Sequence, residues 1–266
     1  MQKNKEWNLI TDSVPLKGSL NMAVDDFLFN SLGDDPVTYV RFYAWERPTV
    51  SLGYSQRVHK VVDVKFCNAN SIDIVRRLTG GKLVLHHEEV TYSVCSSDER
   101  MFTVTLQESY KMISEALMCG LEKMGLHPYL AETTPSSYVK GTLPCFSFPA
   151  RNEVEINGKK IIGSAQKRMG KKFLQHGSIP VKNNEEMLKS VSFMAPDNNN
   201  IRMMSLSEAI GRDVGFDEVV ACLTEGISDY FGVILRPKIF TEEERKEIQK
   251  ILKERHDNPE WIFLRE

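Results

Sequence analysis

A chain of 266 residues, 41% hydrophobic and 26% charged, has the length of one large domain and can bury roughly three-quarters of its unfolded surface in a core. Its formal net charge of -2 lacks the basic excess that a general nucleic-acid binder needs to neutralise phosphates. Cys67, Cys95, Cys119, Cys145 and Cys222 are odd in number and widely spaced with no C-x-x-C pair, and no run reaches the roughly 18 apolar residues of a membrane span, so a reduced, cytoplasmic protein without disulfide framework or zinc site is expected.

In chain order, Ser19 and Asn21 stand ahead of Met22-Ala23-Val24-Asp25-Asp26-Phe27-Leu28-Phe29, whose apolar spacing predicts a helix. Val37 to Trp45 and Pro48 to Gly53 read as adjacent sheet strands joined by Glu46-Arg47. Ile72 to Arg76, Leu83 to Leu85 and Val90 to Cys95 read as further short strands, interrupted by the turn Thr79-Gly80-Gly81 and the polar cluster His86-His87-Glu88-Glu89. From Thr105 to Leu126 the stripe Leu106, Ile113, Leu117, Leu121 and Met124 predicts a long helix that stops at Gly125.

Ala131 to Pro149, rich in Thr, Ser, Pro and Gly, is expected to be an active-site loop or lid. Beyond it, Glu153 to Ile156 and Lys159 to Ile162 flank Asn157-Gly158, a two-residue hairpin signal that sets Lys160 opposite Glu155. Phe173 to Val181 resembles another strand, and the asparagine run 198–200 a loop. The remainder reads as helical, with Phe216 to Phe231 periodic and Thr241 and Glu244 at capping-box spacing. A short helical extension at about 240–266 on a single domain spanning 1–266 is the expected organisation.

Consecutive arginines on a strand point to opposite faces, so of Arg76 and Arg77 one is expected to enter a cleft and the other to serve elsewhere. His86 and His87 diverge on an extended chain and do not make a metal pair; His86 either closes a pocket by hydrogen bonding or is a satisfied core residue. Lys160 precedes the small residues Gly163-Ser164-Ala165, where its ammonium could stabilise an oxyanion, or it is an exposed hairpin lysine paired with Glu155. Cys145 is a small apolar filler unless the chain brings a cation near enough to favour its thiolate. Lys159, Lys160, Lys167, Arg168, Lys171 and Lys172 form a run that is either a solvated face or a dock for an acidic partner.

Taken together, Asn21-Met22-Ala23-Val24-Asp25, Arg41-Phe42-Tyr43, the segment from Pro48 to Tyr54, Arg76-Arg77-Leu78-Thr79-Gly80-Gly81, Val90 to Val94, the run from Asn157 to Gln166, and Leu174 to Ile179 resemble the lipoate-protein ligase and octanoyltransferase family. The likeness runs from about residue 7 to the end of the chain. It implies an α/β (α+β) fold, a mixed sheet flanked by helices like the catalytic domain of biotin and lipoate ligases. It further implies that Lys160 contacts the acyl carbonyl or acyl phosphate and that Arg76, Arg77, Thr79, Gly80, Gly81 and His86 line an acyl tunnel completed by Gly163, Ser164, Ala165, His176 and Gly177.

The cysteine separates two branches of the family. Cys145-Phe146 resembles the Cys-Phe pair of cysteine-dependent octanoyltransferases, whereas Arg151-Asn152-Glu153 partly resembles the Arg-Asn-Asp segment of ATP-dependent ligases. Lys82-Leu83 and His87 depart from the common pattern. The 35 residues after Phe231 are short for a ligase accessory domain, which favours the transferase.

The leading expectation is therefore transfer of an octanoyl or lipoyl group, without cofactor or metal, from acyl carrier protein or a lipoylated donor protein onto Cys145, the nucleophile, and then to a lysine of a lipoyl domain. The alternative is an ATP- and magnesium-dependent lipoate ligase, with or without a separate accessory chain. A binding module for lipoylated carriers is the third reading, since fold does not fix function.

Overall fold

The computed structural model describes residues 5–12, 14–102, 105–132, 152–193 and 201–265. The expected loop at 131–149, including Cys145 and Phe146, and the asparagine run 198–200 lie largely or wholly outside the described residues.

The chain opens with strand β1 (Lys5–Thr11) and helix α1 (Gly18–Ser31), followed by β2 (Thr38–Tyr43) and β3 (Thr49–Leu52). Short helices α2 (Val58–Val61) and α3 (Val64–Ala69) lead to β4 (Asp73–Arg76), β5 (Val84–His86) and β6 (Glu89–Ser96). Helix α4 (Leu106–Lys123) ends two residues before Gly125, whose φ of +80° closes the helix as expected. Strands β7 (Tyr129–Leu130), β8 (Val154–Ile156), β9 (Lys159–Met169) and β10 (Lys172–Pro180) follow. Then come α5 (Glu185–Val191), α6 (Leu206–Ile210), α7 (Phe216–Phe231), β11 (Val233–Pro237), α8 (Glu242–Ile251), a π turn (Leu252–His256) and α9 (Pro259–Ile262).

Among the described residues, eight strands form a mixed sheet in the order β11-β1-β2-β6-β10-β9-β8-β7, and three form a small sheet, β4-β3-β5. The large sheet separates two environments because its strands alternate. On β6, Val90, Tyr92 and Val94 join the core cluster beneath α4 and α7, whereas Cys95 packs with α1 and Thr91 and Ser93 lie on that same face. On β10, Phe173 and Ile179 enter the α4 side, while Leu174 packs toward α1 and His176 and Ser178 share its face. One face is thus apolar, and the other carries the chemistry. The small sheet has its own core with α2, α3 and α5, built on Val50, Leu52, Val62, Cys67 and Leu188.

Three sequence expectations are corrected. β2 and β3 are not neighbours: β1 and β6 occupy both edges of β2, so the chain leaves the large sheet at Trp45 and β3 pairs with β4 and β5 instead. The stretch after Phe231 is not wholly helical, because Val233–Pro237 adds a parallel edge strand to β1. Leu106, placed on the buried stripe of the long helix, is 48% exposed, on the first turn of α4 where it borders a cleft. The hairpin behaves as expected, with φ values of 52° at Asn157 and 74° at Gly158 and Glu155 paired with Lys160.

Candidate active site

Between the two sheets lies a narrow, partly open cavity lined by residues of both. Helix α1 and β2 contribute Met22 and Tyr43, the small sheet and its loops Arg77, Gly81, Val84 and His86, and the large sheet Gly163, Ala165, His176 and Gly177. Gly81, Ser164 and Ala165 also border a second, wider cleft whose walls include Gly80, Leu106, Tyr110 and Glu153. The two spaces therefore meet at the small residues of β9.

Asp25 organises one wall. It sits on α1 in line with Met22 and Leu28, a carboxylate on an apolar stripe, and it is 2% exposed. Its Oδ1 accepts from Arg41 Nη1 at 3.0 Å and Ser93 Oγ at 2.9 Å, and its Oδ2 accepts from Tyr43 Oη and His176 Nδ1, each at 3.0 Å. Burial works against the charge, but the His176 hydrogen bond and the Arg41 charge outweigh it and hold the Asp25 pKa below the ordinary 3.8. Burial lowers the His176 pKa from 6.5 despite Asp25. A neutral imidazole that donates Nδ1–H to Asp25 accepts at Nε2, and Thr79 Oγ1 stands 2.7 Å away to donate.

The second histidine is wired alike. His86 Nδ1 lies 2.8 Å from Glu89 Oε1, and Nε2 lies 2.6 Å from Ser51 Oγ. Ser51 Oγ also accepts from Arg77 Nη1 at 2.6 Å. Glu89 also accepts from Thr91 and, at 2.5 Å, from Ser178 Oγ. Trp45 stacks on the His86 ring at a centroid distance of 4.0 Å and donates its indole N–H to Thr91 Oγ1 at 2.7 Å.

The arginines divide as strand geometry requires. Arg77 lines the cavity and holds the glycine turn, its Nη2 donating to the carbonyls of Gly80 at 3.1 Å and Lys82 at 2.9 Å. Arg76, expected in the tunnel wall, is instead fully buried away from the cavity lining, where it donates to the carbonyls of Gly53, Tyr54, Gln56, Trp261 and Ile262. Gly81 has φ of +91°, and a Cβ on Gly53 would lie 2.1 Å from the Gly81 carbonyl, so the turn packs backbone on backbone. Gly177 is equally constrained: a Cβ there would sit 2.6 Å from Tyr92 Cε1 and 2.7 Å from Ser164 Oγ.

Lys160 is fully buried rather than exposed, and its Nζ pairs with Glu153 Oε1 at 2.7 Å, not with its strand-register partner Glu155. Glu153 borders the wider cleft, so the ammonium is held beside that space rather than in the first cavity's lining. Ser164 Oγ hydrogen-bonds Tyr92 Oη at 2.7 Å, and burial pushes the Tyr92 pKa to about 12. The basic run 159–172 is dispersed. Lys160 is internal, Arg168 Nη2 bonds Ser109 Oγ at 2.9 Å, and Lys171 pairs with Asp34 at 2.9 Å.

Of the residues expected in the site, Arg77, Gly81, His86, Gly163, Ser164, Ala165, His176 and Gly177 converge on the narrow cavity, with Thr79 one hydrogen bond behind it and Gly80 on the cleft. Cys145 lies outside the described residues. Asp25, Glu89, Ser51 and Glu153 were not singled out from the sequence. The buried stripe position of Asp25, and the placement of Glu89 in alternation with Thr91 and Ser93, were the signals available.

The chain matches the model of the lipoyl protein ligase A/B catalytic domain over residues 17–228. It is 32% identical to the octanoyltransferase LipM of Carboxydothermus hydrogenoformans, across 97% of this chain and 98% of that protein. Its fold is similar to that of a lipoate-protein ligase A crystallised with ATP, with a TM-score of 0.85, 23% identity, and coverage of 98% of this chain and 100% of the other. It is also similar to a bipartite lipoate protein ligase from Thermoplasma acidophilum, described together with its E2 lipoyl domain, with a TM-score of 0.82, 24% identity, and coverage of 98% and 97%. A mixed sheet flanked by helices, a cavity between two sheets, and this agreement over nearly the whole length establish that the chain belongs to the lipoyl protein ligase A/B catalytic domain family.

Proposed function

We propose that this protein transfers an octanoyl group, or a lipoyl group, from an acyl-carrier thioester to a lysine of a lipoyl domain through a thioester on Cys145. The observation that carries the reading is the narrow, largely apolar cavity that meets, at Gly81, Ser164 and Ala165, a cleft bordered by the partner of Lys160. A saturated chain seated there gains about 0.8 kcal/mol for each methylene removed from water, which supports a medium-length acyl group. The relatives named octanoyltransferase support octanoyl, and the archaeal ligase described with a lipoyl domain supports such a domain as acceptor.

In this mechanism the Cys145 thiolate attacks the donor carbonyl, the carbon–sulfur bond to the carrier breaks, and the carrier leaves as its thiolate. The neutral amine of the acceptor lysine then attacks the Cys145 thioester, loses a proton and expels the thiolate. Each step passes through a tetrahedral oxyanion. Lys160, fixed by Glu153, supplies the ammonium that meets it, and such preorganised donors contribute about 2.7–4 kcal/mol to a barrier. Histidines 86 and 176, Arg77 and the glycine turn shape the wall and hold the chain in line with the reacting carbon.

Intact mass spectrometry after incubation with octanoyl-carrier thioester tests this directly. A hydroxylamine-sensitive adduct of one octanoyl group is expected on the wild-type chain and not on Cys145→Ser. Adenylate formed from lipoate and ATP with magnesium, surviving Cys145→Ser, would replace the transferase with the ligase reading.

A further inference from the structure

Two neighbouring residue pairs split their side chains between the cavity and the C-terminal segment. On α1, Asp25 turns to His176, whereas Asp26 accepts from Arg255 Nη1 at 2.5 Å and His256 Nε2 at 3.0 Å in the π turn. At the end of β4, Arg77 turns to the glycine turn, whereas Arg76 donates from Nε to the carbonyls of Trp261 and Ile262 and from Nη2 to Ile262 at 2.6 Å. Trp261 answers with its indole N–H to the Arg76 carbonyl at 3.1 Å. A second path runs through backbone. Arg76 also holds Gly53 and Tyr54, Tyr54 N donates to the Thr79 carbonyl at 2.8 Å, and Gly53 packs against the Gly81 carbonyl.

Adjacent residues on a helix or strand cannot shift independently, since a rotation at Arg76 reaches Arg77 through one peptide plane. The Arg76 guanidinium has backbone carbonyls as its partners, and the C-terminal segment supplies Trp261 and Ile262. We propose that residues 252–262 are a positioning element for the cavity, with Arg76 and Asp26 as positioning residues acting through Arg77 and Asp25, a role that rests on the cavity being the acyl site. The segment then governs how closely the Gly80-Gly81 turn seats the acyl chain. It affects donor affinity and chain-length preference more than the bond-making step.

The test uses the full chain with Trp261→Phe, which removes the indole donor, and Arg76→Lys, which keeps the charge and loses the fork. Lys253→Ala, on the exposed side of the same segment, is the control. Transfer rates are measured with six-, eight-, ten- and twelve-carbon thioesters, alongside deuterium exchange of residues 78–84. Trp261→Phe is expected to raise the donor KM on the order of tenfold with kcat changed less than about twofold, to flatten the chain-length preference, and to speed exchange at 78–84. Lys253→Ala is expected to do none of these. Faster exchange confined to 252–265, with length preference intact in both test variants, would overturn the proposal and leave the segment a mere cover. Should the wild-type chain transfer no acyl group, the functional reading fails, while exchange at 78–84 still decides the coupling.

Discussion

The two histidines on the cavity wall share one wiring, carboxylate at Nδ1 and hydroxyl at Nε2, yet their carboxylates sit in opposite electrostatic settings. Asp25 faces the buried Arg41 guanidinium, which also pairs with Asp12 at 2.7 Å. Glu89 faces an imidazole and the hydroxyls of Thr91 and Ser178. Hydroxyls rotate, whereas a buried guanidinium must keep its counter-charge or be left stranded. The His176 side is therefore framework, and the His86 side is adjustable.

The sharpest way to break that contrast is Asp25→Asn. It keeps the shape but removes one of the two charges that compensate Arg41, and a loss of about 3 kcal/mol or more in urea unfolding is expected. A loss below about 1 kcal/mol would show that Asp12 alone suffices, and the two sides would then be equivalent. Glu89→Gln comes next. It leaves Arg41 and its counter-charges untouched, but its amide cannot accept from every donor that meets the carboxylate, so a cost of about 1–3 kcal/mol is expected, with the chain still folded.

The smallest effect is the pH dependence contributed by His176. Its folded pKa lies below 6.5, so the unfolded chain takes up the proton first. The stability contributed by the neutral ring is complete above 6.5 and is lost as pH falls toward the lowered folded value. Asp25 adds the same sign further down, its contribution present above 3.8 and lost as pH falls through its own lowered folded value. Denaturant midpoints measured from about pH 8 down to about pH 5 are expected to fall below pH 6.5, and His176→Gln is expected to flatten that slope. An unchanged slope would place the proton uptake elsewhere.

Much of the fold was legible locally. Helix α7 coincides with its apolar period at Phe216–Phe231, the Asn157-Gly158 turn has both positive φ values, and Thr241 with Glu244 forms the expected capping box. Each is written within a few residues of chain, where one period or one dihedral preference decides. The site was legible as a set of motifs but not as an arrangement. Asp25 was hidden because a carboxylate on an apolar stripe reads as surface until its four donors, drawn from β2, β6 and β10, are brought together.

By itself the sequence determined the longer helices α1, α4 and α7, where the hairpin turns, and that Arg76 and Arg77 diverge. Only the tertiary structure decided that β3 leaves the sheet of β2, that Lys160 takes Glu153 rather than Glu155, and that Arg76 faces the C-terminal segment while Arg77 faces the cavity. Periodicity states that a side chain is buried, not against what. The partner is chosen where distant segments compete for the same edges, carbonyls and charges, and that competition is settled only in the packed molecule.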